Sequence, residues 1–113
     1  MYFVPIEDFA ANAMIYLLSE YPEQAKISMA QLNKYIEAVR NILTEQGKDA
    51  LILDYGPYLD NVNQKGLFHV DNLYIIPDTK SPQDIIGAYY CNIPVDILDA
   101  MIKAEPILMS NPV

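Results

Sequence analysis

At 113 residues with 52% hydrophobic content, the chain is long enough for one domain with a real core and too short for two. Its formal net charge of −8, from 15 acidic and 7 basic residues, opposes generic attraction to phosphate backbones and to anionic lipid headgroups. The excess is even: residues 1–56 hold eight acids and four bases, and residues 57–113 hold seven and three, so each half nets −4 and no basic face hides behind an acidic tail.

Residues 2–6 read as a short strand, and Pro5 suits the first position of a helix that follows it. Glu7 and Asp8 then sit where the positive end of a helix dipole favours carboxylates. Phe9, Ala13, Tyr16 or Leu17, and Glu20 track one face of this helix, Met14, Leu18 and Tyr21 extend its apolar side, and Pro22 stops it. A short connector leads to the best-marked element, residues 28–47. Ser28 followed by Gln31 is a capping box, Gly47 suits the left-handed position after the last turn, and Met29, Leu32, Ile36, Val39 and Leu43 recur at spacings of three and four. That stripe has to be buried, and the brevity of the connector predicts that the two helices pack antiparallel.

Residues 50–55, ALILDY, read as a strand and residues 57–63 as one or two helical turns with Tyr58, Leu59 and Val62 inward. Residues 67–70 and 73–76 are β-rich runs around Asp71-Asn72, a pair suited to a two-residue hairpin turn, so a hairpin is predicted over 67–76. Ser81, Pro82 and Asp84 mark a second helix start, with Ile85, Ile86, Tyr89 and Tyr90 on that helix. Pro94 opens another, lined on one side by Ile97, Leu98, Met101 and Ile102 and stopped by Pro106. The predicted fold is α+β: a single domain over 1–113, two N-terminal antiparallel helices, a short three-stranded antiparallel sheet and two C-terminal helices, in an order that allows a winged-helix-like arrangement.

Catalytic residues are scarce. His69, the only histidine, alternates with Phe68 and Val70 and is expected on the solvent side of its strand; a metal site would have to recruit Asp71 or Asp78 without a spacing motif. Cys91 reads as a small core residue. Asp96 and Asp99 read as a solvated helix face, and four scattered glycines make no phosphate loop. Residues 83–102 have helix-turn-helix proportions, with Gly87 as the small residue of the first helix, and the preceding hairpin loosely resembles the wing of a winged-helix domain. The second helix, however, sets Asp96, Asp99 and Glu105 against Lys103 alone, and the hairpin tip has no cation, so neither offers the side chains that read bases or hold phosphate.

One cysteine excludes an intramolecular disulfide, no apolar run approaches a membrane span, and MYFVPIEDF lacks the features of a secretory signal; a cytoplasmic, reduced setting is expected. Nine tyrosines without tryptophan suit contact surfaces that tolerate a wet edge as well as the rims of cores. The apolar run Ile107, Leu108, Met109 follows the last predicted helix, where polar residues are usual. These features predict a protein-interaction domain, a homodimer or an accessory subunit, that binds through Tyr89, Tyr90, Ile107, Leu108 and Met109. No catalytic centre, cofactor, metal, nucleic acid or membrane partner is expected. The alternatives are a winged-helix-like nucleic-acid-associated regulator and an acidic inhibitor that imitates nucleic acid.

Overall fold

The computed structural model describes residues 2–48, 50–53 and 65–109. Strand β1 (Tyr2–Pro5) runs directly into α1 (Ile6–Glu20), with Pro5 as the extended residue that caps the helix rather than its first turn. Helix α1 ends ahead of Pro22, where the Tyr21 N–H bonds back to the Leu17 carbonyl at 2.7 Å. It is buried on nearly every side, through Ile6, Phe9, Ala10, Ala11, Ala13, Met14, Ile15, Leu17 and Leu18. A helix apolar all round belongs inside a domain, and the alanines allow neighbouring elements to approach it closely.

Helix α2 (Met29–Glu45) is amphipathic instead. Ser28 caps it by accepting from the Gln31 N–H at 3.1 Å, and Leu32, Tyr35, Ile36, Val39 and Leu43 form its buried face. Gly47 takes φ 70°, and the Gly47 and Lys48 amides bond back to the Thr44 and Leu43 carbonyls at 3.0 and 2.9 Å. These two bonds satisfy carbonyls that the last turn would leave open, and the positive φ makes glycine the natural residue there.

The three-stranded antiparallel sheet is composed differently from the sequence expectation. Its strands are β2 (Ile27–Ser28), β5 (Tyr74–Pro77) and β4 (Phe68–Asp71), in that spatial order. The strand at β3 (Ala50–Leu53) pairs in parallel with β1, Tyr2 opposite Ala50 through Pro5 opposite Leu53, and takes no part in the antiparallel sheet. A two-residue strand such as β2 leaves no periodic signature in sequence, whereas an apolar four-residue run does not declare which strand it will meet. The predicted turns over 57–63, and Asp54 and Tyr55 at the end of the predicted strand, lie outside the described residues.

The hairpin turns at Asn72-Leu73, one residue later than expected: Asp71 pairs with Tyr74, and Asn72 adopts φ 61°. Leu73 is therefore a turn residue and 66% exposed. Its carbonyl accepts from the Met29 N–H at 2.9 Å, which ties the ribbon to the start of α2. The β-ribbon is thereby hydrogen-bonded to the chain between the two N-terminal helices.

Helix α3 (Pro82–Tyr89) begins at Pro82 as expected, but Ser81 does not cap it through its side chain. Thr79 Oγ1 accepts from the Ser81 N–H at 3.1 Å and donates to Asp84 at 2.7 Å, so the threonine two residues earlier organises this end. A 3₁₀ turn, Tyr90–Asn92, leads to α4 (Val95–Lys103), and Pro106 opens a last short helix, α5 (Pro106–Met109), instead of only ending α4. Helix α1 packs chiefly on α3, and α2 on α4 and α5.

Gly87 does not serve a close helix contact. A side chain there would meet nothing within 4 Å, which removes the small-residue signature of the helix-turn-helix reading. Gly87→Ala is therefore expected to stabilise the protein by about 0.5–1 kcal/mol through helix propensity alone, seen as a higher urea midpoint. A lower midpoint would mean that this face of α3 is crowded.

Candidate functional site

Most of the polar chemistry inside the fold converges on Asn12, the only buried polar or charged residue among those described. Its side-chain amide donates to Tyr35 Oη at 2.7 Å and to Glu105 Oε2 at 3.2 Å, and its carbonyl accepts from the Tyr90 hydroxyl at 2.6 Å. The Tyr35 hydroxyl in turn donates to the Met101 carbonyl at 3.0 Å. Four elements are thereby fastened to one side chain: α1, α2, the 3₁₀ turn and the joint between α4 and α5. Every hydrogen-bonding group of Asn12 is used, and burial raises the Tyr35, Tyr90 and Glu105 pKa values above their ordinary ranges. For Glu105 the Asn12 bond opposes the shift and the nearby Glu20 charge adds to it. Its bonds join α1, α2, the 3₁₀ turn and the α4–α5 joint, so this network positions helices.

A second polar cluster lies at the start of α1. The Tyr89 hydroxyl donates to Glu7, the Tyr89 ring stacks on Phe68 with centroids 6.0 Å apart, and the Lys65 ammonium sits 4.4 Å from its centroid. Beside it the Asp8 carboxyl is pushed up to about 6, first by burial and then by the Glu7 charge, with Lys65 pulling the other way. Because the folded-state pKa lies above the unfolded one, the stability linked to Asp8 is present at low pH and is lost as pH rises from about 4 to about 6. Asp8→Asn should accordingly leave stability unchanged near pH 4 and raise it at pH 7 by on the order of 1 kcal/mol, allowing for screening at this half-buried group. Urea midpoints at the two pH values check this.

His69 faces solvent, as the strand alternation predicts, with Nδ1 2.6 Å from Asp78 Oδ1. Asp78 is one of the two residues that a metal site at His69 would have had to recruit, but here it pairs with the histidine itself. Among the described residues no three histidine, cysteine, aspartate or glutamate side chains gather around a point that could hold a metal ion. Cys91 is exposed on the 3₁₀ turn, contrary to the core position expected of it; Ile93 is the residue that this turn sends inward. No helix among the described residues is long and apolar enough to cross a membrane.

The residues expected to bind protein divide into two sets. Tyr89 and Leu108 are core residues, and Tyr90 is half-buried in the Asn12 network. Leu108 is buried, and the last helix packs on α2, so part of the C-terminal run folds back onto its own domain. Ile107 and Met109, by contrast, face out. Ile102, expected on the buried side of α4, joins them: the buried stripe of that helix is Ile97, Ala100 and Met101, continued by Ala104. Val95, Leu98 and Ile102, spaced by three and four, form a second apolar stripe on α4. Val95 is 81% exposed, Ile102 48% and Met109 49%, and Leu98 is partly covered. Asp96 and Asp99 border the stripe; Lys48 reaches Asp96 at 3.2 Å, and Lys103 pairs with Asp99 at 3.1 Å. Val95 directly follows Pro94 at the start of the helix, and nothing in the sequence marks it as part of a face.

No family model, curated protein or solved structure matches the chain.

Proposed function

We propose that the chain is a small protein-interaction domain without a catalytic centre, and that it works through the C-terminal face formed by α4 and α5. The observation that carries this reading is the exposure of Val95, Ile102, Ile107 and Met109 on two consecutive helices, while the same helices are anchored from behind by Ile97, Met101 and Leu108. Isolated apolar residues at a surface need no explanation, but several on two consecutive helices are candidates for a contact face. The Asn12 network supports the reading, because it holds the α4–α5 joint to the centre of the domain and so presents a rigid surface. Rigidity at a contact face lowers the ordering cost of binding.

Two kinds of accessory role fit: a homodimer closed over this face, and a subunit of a larger assembly. A variant carrying Val95→Ser, Ile102→Ser and Met109→Ser alters only exposed side chains and should keep its fold and urea midpoint close to wild type. Full-length wild type and variant are compared by light scattering and by affinity capture from an extract of the source cells. The reading predicts a dimer, or a captured protein, that the variant loses. A monomeric wild type whose captured proteins are the same as the variant's would overturn it.

A further inference from the structure

A small hollow, with a volume of about 60 Å³, is lined from the end of α1, the connector after it, β2, α2 and α5. That is room for roughly four or five water-sized groups. Its apolar lining is Leu17, Ile27 and Leu108, all buried. Its polar lining includes Tyr21, Gln24 and Lys26, of which Gln24 and Lys26 are exposed and stand at the mouth. No acid lines it, although the chain as a whole nets −8.

Lys26 differs from the lysines beside the α4–α5 stripe. Lys48 and Lys103 are each held by an aspartate, whereas Lys26 makes no salt bridge among the described residues. Its ammonium rests 4.7 Å from the centroid of the Tyr74 ring, which helps to place it without cancelling its charge. The Tyr21 hydroxyl and the Gln24 amide are further donors for an anionic oxygen. Water alone is poorly suited to the inner part, because a buried water takes about two to four polar partners and the side chains of Leu17, Ile27 and Leu108 offer none. Phosphate and sulfate fit no better: one cation does not match two charges, and oxygens turned toward those side chains would lose their hydration without a replacement hydrogen bond. A carboxylate on a short hydrocarbon tail suits both parts, its single charge meeting Lys26 and its tail covering the apolar lining. We infer that the hollow binds a small monocarboxylate of about five non-hydrogen atoms, the size of propionate. It shares no residue with the exposed stripe on α4 and α5, and the protein-interaction reading stands whether or not the hollow binds.

The test titrates the full chain, isotopically labelled, with propionate, propionamide and propylamine at constant ionic strength and follows the backbone amide resonances. Propionate should give saturable shifts centred on residues 24–27 and Leu108, with a dissociation constant in the millimolar range expected of so few atoms and one exposed cation. Propionamide and propylamine keep the shape but lose or invert the charge, and they should bind at least about tenfold more weakly. Formate keeps the charge and lacks the tail, and it should be weaker by about fivefold or more. Lys26→Gln changes an exposed side chain and should weaken propionate binding by about fivefold or more, whereas Lys80→Gln, at an exposed lysine that does not line the hollow, should leave it unchanged. Shifts that stay linear to about 100 mM, or that centre on other residues, overturn the inference. So does propionamide or formate binding as well as propionate, or a Lys26→Gln protein that binds propionate like wild type.

Discussion

Asn12→Asp should be among the most damaging single substitutions in this protein, costing about 3–5 kcal/mol at pH 7, although it changes one atom group and almost no volume. The amide of Asn12 donates to Tyr35 Oη and to Glu105 Oε2, and a carboxylate in its place can donate to neither. The Tyr35 hydroxyl proton is already committed to the Met101 carbonyl, so the new charge would face an oxygen lone pair on one side and a carboxylate on the other. The Tyr90 hydroxyl would remain as a donor, which is too little for a charge at a site with no solvent exposure. Burial and the Glu105 charge both raise the folded-state pKa of the new group above its unfolded value. The deficit must therefore be largest at neutral and higher pH and must shrink as pH falls toward the ordinary carboxylate range. Adding Glu105→Gln removes the opposing charge and restores an N–H donor, so the double variant should be more stable than the two single losses would sum to. Urea unfolding of the four proteins across pH measures all of this. A single variant within about 0.5 kcal/mol of wild type at every pH would mean that water reaches Asn12.

That the fold is held at Asn12 was not legible in the sequence. A lone asparagine in the apolar run FAANAMIYLL does not say which residues it will meet. Its partners are 23, 78 and 93 positions away. Local patterns were read correctly where a segment both starts and stops itself: α2 has its serine cap, its apolar face and its glycine terminus where the sequence put them. The hairpin was found, and its turn lies one residue further along, because Asn72 rather than Asp71 takes the positive φ and the ladder then pairs Asp71 with Tyr74. Pairing between distant strands was not legible. Nothing in Ala50–Leu53 indicates that it lies parallel to Tyr2–Pro5, because a short apolar run does not name its partner strand. The candidate face was half legible. Ile107 and Met109 were identified from their position beyond the last predicted helix, whereas the burial of Leu108 and the outward turn of Ile102 depend on how α4 rotates once Met101 is fixed to Tyr35.

The same comparison bears on which helix organises the domain. The capping signals of α2 make it the most conspicuous element of the sequence, yet conspicuous periodicity requires a polar face, and a helix with a polar face lies at the edge of a core. Helix α1 has weaker periodicity because it is buried on nearly every side. Phe9 tests the difference. Its ring has no solvent exposure and meets the Tyr35 ring edge-on, with centroids 6.4 Å apart and planes at 81°. Phe9→Ala removes that contact, leaves a cavity at the centre of the domain and deprives Tyr35 of the wall that orients its hydroxyl toward Asn12 and Met101. The expected loss is about 3–5 kcal/mol, a large part of the roughly 5–15 kcal/mol by which a domain is usually stable. Phe9→Leu keeps most of the volume and should lose about 1.5 kcal/mol or less. If α1 is the centre, its amides should also be the last to exchange with deuterium, ahead of those of α2, because they open only when the whole domain does. A Phe9→Ala protein destabilised by less than about 1 kcal/mol, with α2 the better protected helix, would return the organising role to α2.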